Sequence, residues 1–283
     1  MNLFKTIFLK IIKEPLGLIG LILVFSIIIL SVGADLFAPF EPSKINVRDK
    51  LQNPSLLHIL GTDQLGRDLF SRVLYGGRVA LKVALISIFI AMFIGIIIGI
   101  LAAIGKKWID NFFLFIFDTI RSFPTIMFAL AIVTLFGPSL ETIILIVILT
   151  QSPIYARIVR TQTLMVINSE YIQAEKIMGI SFIRLMFVHI IPNVIGPLFI
   201  LASMDIPFVI AIEAGLSFLG MGVRPPIPSW GSILNDGYSF IDNSPWPLIA
   251  GGLPLIITTI GFTFLGERLR DLIDPKLKKN IDL

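Results

Sequence analysis

Residues 83–105 form an unbroken stretch of 23 positions without a charge, and Lys106 and Lys107 follow at once. As a helix, that stretch measures about 34 Å at 1.5 Å per residue, enough to cross the roughly 30 Å hydrocarbon core of a bilayer. Comparable apolar runs occupy residues 16–38, 109–136, 140–156, 185–223 and 247–266. In hydrocarbon each backbone N–H and C=O must be satisfied inside the protein, so runs of this kind fold as spanning helices. The chain has 283 residues, is 55% hydrophobic and 15% charged, and has a mean hydropathy of +0.92, far more apolar than a soluble domain. An all-α, multi-pass membrane protein follows.

Several classes of chemistry are excluded by what is missing. With no cysteine there is no disulfide framework and no thiolate ligand or nucleophile. The two histidines, His58 and His189, lie far apart in sequence and suggest no metal site. No phosphate-cradling loop ending in Gly-Lys-Ser or Gly-Lys-Thr, no HExxH and no GxSxG is present, so no cofactor is expected and no enzyme activity is assigned. The net charge of +4 comes without basic clusters interleaved with aromatics. That argues against nucleic acid and for orientation in the membrane by the positive-inside tendency.

Lys5, Lys10 and Lys13 precede the first apolar run, which is about twice the length of a signal-peptide core and lacks a cleavage site; it reads as a retained helix with its N-terminus inside. Residues 39–78 are polar with nearly balanced charge, and Asp63, Arg67, Asp68 and Arg72 are expected to pair with one another at the membrane surface. Asp118 and Arg121 stand three apart, on one helical face of the 109–136 run, with Pro124 close behind. Each would cost on the order of 3 kcal/mol if isolated in lipid, so they are expected to form an internal ion pair that supports the bundle. Gly137, Pro138 and Ser139 make an external turn, and residues 140–156 return to the inside, where Arg157 and Arg160 lie.

The run from 185 to 223 contains Pro192, Pro197 and Pro207, so its helix should be bent or broken. It is long enough for two crossings. A single crossing puts Arg268, Arg270, Lys276, Lys278 and Lys279 on the side of the N-terminal lysines, which gives six spans, with Glu213–Gly222 as a helix end or a partial re-entry. Trp230 and Trp246 sit where interfacial aromatics belong, or else belong to a rigid cap over a cavity.

Residues 168–193, NSEYIQAEKIMGISFIRLMFVHIIPN, interrupt this apolar chain with a polar segment. Asn168 or Ser169 can cap a helix, Glu170 suits its first turn, Gly179 is a left-handed stop, and Ser181 can cap a second helix leading back to the membrane. The pattern is that of a docking surface.

This segment resembles the cytoplasmic EAA loop of ABC-importer permeases. Ala174, Gly179 and Pro192 fit its spacing, while Gln173 and Glu175 stand where the loop usually has Glu and a second Ala. Three more blocks resemble the dipeptide, oligopeptide and nickel branch: residues 60–81 (LGTDQLGRDLFSRVLYGGRVAL), 213–231 (EAGLSFLGMGVRPPIPSWG) and 269–277 (LRDLIDPKL). The resemblance covers nearly the whole chain. It implies a type I ABC-importer permease fold of six transmembrane helices with a cytoplasmic EAA coupling helix. Residues 1–38 would be the cytoplasmic N-terminus and first helix, 39–78 an extracytoplasmic loop, and 79–283 a core of five spans with a coupling loop at 157–184 and a cytoplasmic tail at 267–283.

It further implies a multi-pass protein of a bacterial-type inner membrane, in contact with membrane lipid. The implied partners are a second homologous permease, two cytoplasmic ATPase subunits that bind the ATP, and an extracytoplasmic solute-binding protein. Glu170, Tyr171, Gln173, Ala174 and Gly179 would form the ATPase coupling element. Closure of the ATPases would push that helix and move the bundle as a rigid body. The rival reading is a carrier driven by an ion gradient through intramembrane acids such as Asp118, Asp205 and Glu213.

Overall fold

The computed structural model describes residues 9–273; Lys5 and the basic residues 276–279 of the expected orientation signal, and the end of the 269–277 block, lie outside the described residues. Among the described residues there is no β-strand, only an isolated bridge between Thr62 and Asp68. The helices of eight residues or more among the described residues are α1 (Pro15–Val32), α2 (Leu69–Ile104), α3 (Lys107–Ser122), α4 (Thr125–Phe136), α5 (Leu140–Ile167), α6 (Glu170–Ile177), α7 (Ile191–Phe218), α8 (Trp230–Ser239) and α9 (Trp246–Ile273), with short helical turns at Ala34–Phe37 and Val47–Asp49. A single turn, Phe182–Arg184, and a π-helical turn, Leu185–Ile190, lead into α7.

Five stretches are long and apolar enough to cross a bilayer: Pro15–Val32, Leu69–Ile104, Leu140–Ile167, Phe182–Phe218 and Trp246–Leu272. The expected span at 109–136 is different. It is two helices, α3 and α4, that meet at 93° around Phe123 and Pro124, and only together do they make a sixth crossing. Pro124 accounts for the break, since it offers no N–H to α3 and biases Phe123 toward its extended conformation. The 12 residues of α4 extend about 18 Å. α3 is amphipathic: Trp108, Phe112 and Phe115 are exposed along one stripe, whereas Phe117 is buried on another side.

The long run after the coupling segment forms one candidate span, Phe182–Phe218, and its helix continues through Pro197 and Pro207 instead of breaking there. Its irregularity is the π turn just before Pro192. Pro192 cannot donate to the Val188 carbonyl, the Ile191 N–H reaches back to Met186, and the Asn193 side-chain amide donates to the His189 carbonyl at 2.6 Å. Glu213 lies within α7, which ends at Phe218, and the chain turns at Gly220. Glu213–Gly222 is therefore a helix end and its following turn.

The chain divides into two compact units, and α2, α4, α5 and α7 each contribute residues to both. One unit holds the residues up to Ile86, Ala129–Ile144 and those from Met204 onward. Within it α1 lies along α9. A Cβ on Gly20 would stand 2.9 Å from the Leu265 nitrogen, so the two backbones touch where glycine permits it. Leu69, Ile233 and Ala250 form a core packed by Leu60, Val73 and Trp246. Trp230 is 1% exposed and its indole N–H donates to the Val73 carbonyl at 2.9 Å. It is a core residue rather than an interfacial anchor. α2 begins at Leu69, so the end of the polar 39–78 segment is already helical.

The other unit comprises Ser87–Phe128 and Leu145–Ser203. Here α3 is clipped to α5 by two ion pairs. Arg160 donates twice to Asp110, at 2.5 and 2.6 Å, and Arg157 donates to Asp118 at 2.6 Å.

Candidate functional site

The segment expected to couple to the ATPases is built almost entirely by its own sequence. α6 follows Ser169, whose hydroxyl turns back to donate to the Val166 carbonyl rather than capping the new helix. The macrodipole favours Glu170 in the first turn and Lys176 in the last. At the other end Gly179 has φ +83°, its N–H reaches the Lys176 carbonyl, and the Ile180 N–H reaches the Glu175 carbonyl. This is the Schellman arrangement, and it requires the left-handed residue that glycine supplies without strain. Ser181 then accepts from the Arg184 N–H at 3.3 Å and starts the next helical turn.

Of the residues expected here, Glu170, Tyr171, Gln173, Ala174 and Gly179 are all exposed. They do not share one role. The Gln173 amide donates to the Ile167 carbonyl at 2.9 Å and so ties α6 to the end of α5. Tyr171 lies beside His189, their rings 6.0 Å apart. Ile172 is fully buried and fixes which side of α6 faces inward. The Glu175 carboxylate lies 2.9 Å from the His189 Nε2, a polar contact between α6 and the π turn. Glu175 departs from the usual second Ala of the loop, and the departure has a local partner.

The outward side contains residues that sequence reasoning missed. Ile177 is 88% exposed and Met178 78%, beside Ala174, with Phe182 and Ile183 also exposed beyond the turn. The signal was available: Ile177 and Met178 lie three and four positions after Ala174, on one face. Large apolar side chains are thus displayed on a polar helix that ends in the left-handed Gly179 stop, an exposed apolar patch of the kind that marks interaction surfaces.

Asp118 and Arg121 are not brought together. Among the described residues no ion pair joins them, and Asp118 takes Arg157 from α5 instead. Sharing a helical face puts two side chains near each other, but Arg157 offers the carboxylate a guanidinium at hydrogen-bond distance. Both Asp118 and Arg157 remain substantially exposed, 68% and 42% by side chain, so the pair belongs to the surface of its unit rather than to its interior.

A second polar constellation was only partly foreseen. Asp63, 1% exposed, accepts from the Arg67 Nε at 2.6 Å and lies 3.5 Å from the Arg72 Nε. Asp68 is not part of that pairing; it meets His58 at 2.8 Å and accepts from the Ser71 N–H and hydroxyl. Arg67 and Arg72 both reach Asp236 of α8, at 3.2 and 3.5 Å. Residues of the 60–81 and 213–231 blocks thus line one cavity of about 360 Å³, together with α8.

Comparison with known proteins gives these features their setting. A family model described as the binding-protein-dependent transport system inner membrane component matches residues 95–279, which include the whole coupling segment. The chain belongs to this permease family. The N-terminal TM domain of oligopeptide transport permease C matches residues 2–54. The permease is 36% identical over 270 residues to the dipeptide transport system permease protein of Escherichia coli, covering 93% of this chain and 90% of that one. It is 35% identical over 266 residues to the protein of the same description in Alkalihalophilus pseudofirmus, with 94% and 88% covered. A di/tripeptide transport system permease protein of Pseudomonas aeruginosa is 33% identical over 273 residues, with 94% and 89% covered.

Two solved structures share the permease's fold at 18% identity. The inward-facing MetNI methionine ABC transporter has a TM-score of 0.58, covering 71% of this chain and 96% of its own. An amino acid ABC transporter solved with histidines has a TM-score of 0.56, covering 69% and 91%. The protein is a multi-pass permease of the type I ABC-importer fold.

Proposed function

We propose that this permease moves peptides, or closely related small solutes, inward across the membrane as one subunit of an ATP-driven importer. Its nearly full-length likeness to dipeptide and di/tripeptide permeases supports the choice of cargo. In this reading a binding protein delivers the solute from outside, a second homologous permease completes the pathway, and two ATPase subunits bind and hydrolyse the ATP. The chain itself binds no cofactor and catalyses no reaction. Its N- and C-termini and α6 face the cytoplasm, residues 39–78 lie outside, and lipid surrounds the bundle. A gradient-driven carrier is the poorer reading, because a short polar helix displaying apolar side chains and ended by a left-handed glycine has no task in a self-sufficient carrier.

The observation that carries the reading is the exposed surface of α6 and its turn, Ala174, Ile177 and Met178, held between Ser169 and the Gly179 stop. ATP-driven closure of the ATPases would displace α6, and the short link through Gly179–Ser181 would carry the displacement into Phe182–Phe218 as a rigid-body motion. Glu175 and His189 stiffen that link. The absence of natural cysteines makes the test direct. A single cysteine at position 173 should be labelled only from the ATP-hydrolysing side of vesicles and should be shielded when the ATPase subunits are present. Labelling from the opposite side, or uptake by the purified chain without nucleotide, would refute the proposal.

A further inference from the structure

Three arginines, Arg67, Arg72 and Arg224, line the cavity shared by the 60–81 and 213–231 blocks and α8, against two nearby carboxylates, Asp63 and Asp236. One positive charge is left over. Arg72 is only 3% exposed, and its Nη1 has no hydrogen-bond partner, nor has the buried side-chain oxygen of Gln64 at the same wall. Arg224 is exposed at the cavity, and among the described residues no acid pairs with it. A buried guanidinium short of an acceptor costs more than a neutral donor in the same position, and its planar fork suits a carboxylate held by two parallel hydrogen bonds. The volume is within the range that holds small ligands.

We propose that this cavity binds the C-terminal carboxylate of the peptide cargo, with Arg224 and Arg72 as its receptors and Asp236 holding Arg67 and Arg72 in place. The inference rests on the peptide reading above. It explains why two blocks far apart in sequence, both of which resemble the peptide-permease branch, meet at one site. Arg72 is a fixed element of the fold, while Arg224 is the accessible arm. The site is a receptor for a charge rather than for a side chain, which suits a system that must accept cargo of varied sequence.

The test uses the assembled complex in nanodiscs with the binding protein omitted, so that no acidic side chain of that partner can occupy the cavity. Phenylglyoxal modification of Arg224 is mapped by mass spectrometry in the presence of alanyl-alanine, its C-terminal amide, or inorganic phosphate. Alanyl-alanine should slow the modification, and the amide and phosphate should not. Equal protection by the amide or by phosphate, or no protection at all, overturns the proposal. In proteoliposomes with the binding protein and ATP, Arg224→Gln should raise the half-saturating concentration for alanyl-alanine uptake about tenfold, the loss expected of one charge-assisted hydrogen bond, with Arg224→Lys in between. An unchanged value for Arg224→Gln overturns it as well. Uptake by the wild-type complex without protection refutes this site alone; protection without any peptide uptake refutes the peptide reading alone.

Discussion

The arginine–aspartate cavity and the coupling turn are both polar structures in an apolar chain, yet they are made in opposite ways. The cavity assembles charges from distant parts of the sequence, Arg67 and Asp236 being 169 positions apart, and buries Asp63 and Arg72 among them. The coupling turn assembles its hydrogen bonds from residues at most six positions apart and, while burying Ile172, leaves Ile177 and Met178 facing outward. One region holds its charges inside the fold; the other leaves apolar surface for something outside it. A buried charge has to be matched within the folded chain, whereas exposed isoleucine and methionine are matched only when a partner arrives.

The strongest way to break this contrast is Asp63→Asn. It strips the buried carboxylate from Arg67 and Arg72, and should cost about 3–5 kcal/mol, read as loss of folded protein in membranes and a lower unfolding temperature in detergent. A harmless Asp63→Asn would mean the cavity does not hold the fold. Next comes Ile177→Asp on the coupling surface. If Ile177 is an anchor worth about 2 kcal/mol, affinity for the ATPase subunits falls roughly 30-fold, with uptake falling alongside, while the thermal stability of the isolated chain stays as it was. Destabilisation of the chain itself would erase the distinction.

Gly179→Val sharpens the picture from within the turn. A β-branched residue at φ +83° should cost about 1–2 kcal/mol locally and uncouple binding-protein-stimulated ATP hydrolysis from uptake, with insertion preserved. Coupling equal to wild type would remove the Schellman turn from the mechanism. The smallest effect is expected of Asp118→Asn. An exposed pair contributes up to about 1 kcal/mol, so stability and uptake should barely move, and abolished uptake with normal assembly would move Asp118 into the transport path.

The same contrast governs what could be read from the chain alone. Gly179, Ser181 and Glu170 act on neighbours, so their residue types and spacing announced the helix, its stop and the next start. The arginine–aspartate cavity is half legible: spacing predicts mutual pairing of Asp63, Arg67, Asp68 and Arg72, but Asp68 turns to His58 and neither that contact nor Asp236 follows from spacing. Asp118 was assigned to Arg121 because a three-residue offset is all that a sequence displays, whereas its partner lies 39 positions away. Trp230 looked like an interface anchor because its proline-rich surroundings conceal a buried slot against Val73. The 109–136 run reads as one continuous span, because its apolar composition continues through Pro124, where the chain in fact bends by 93°.

That break has a physical consequence for the surrounding lipid. By itself α4, about 18 Å long, falls roughly 12 Å short of a typical hydrocarbon core, so this crossing is completed by α3 beyond the bend, by neighbouring helices or by local thinning of the bilayer.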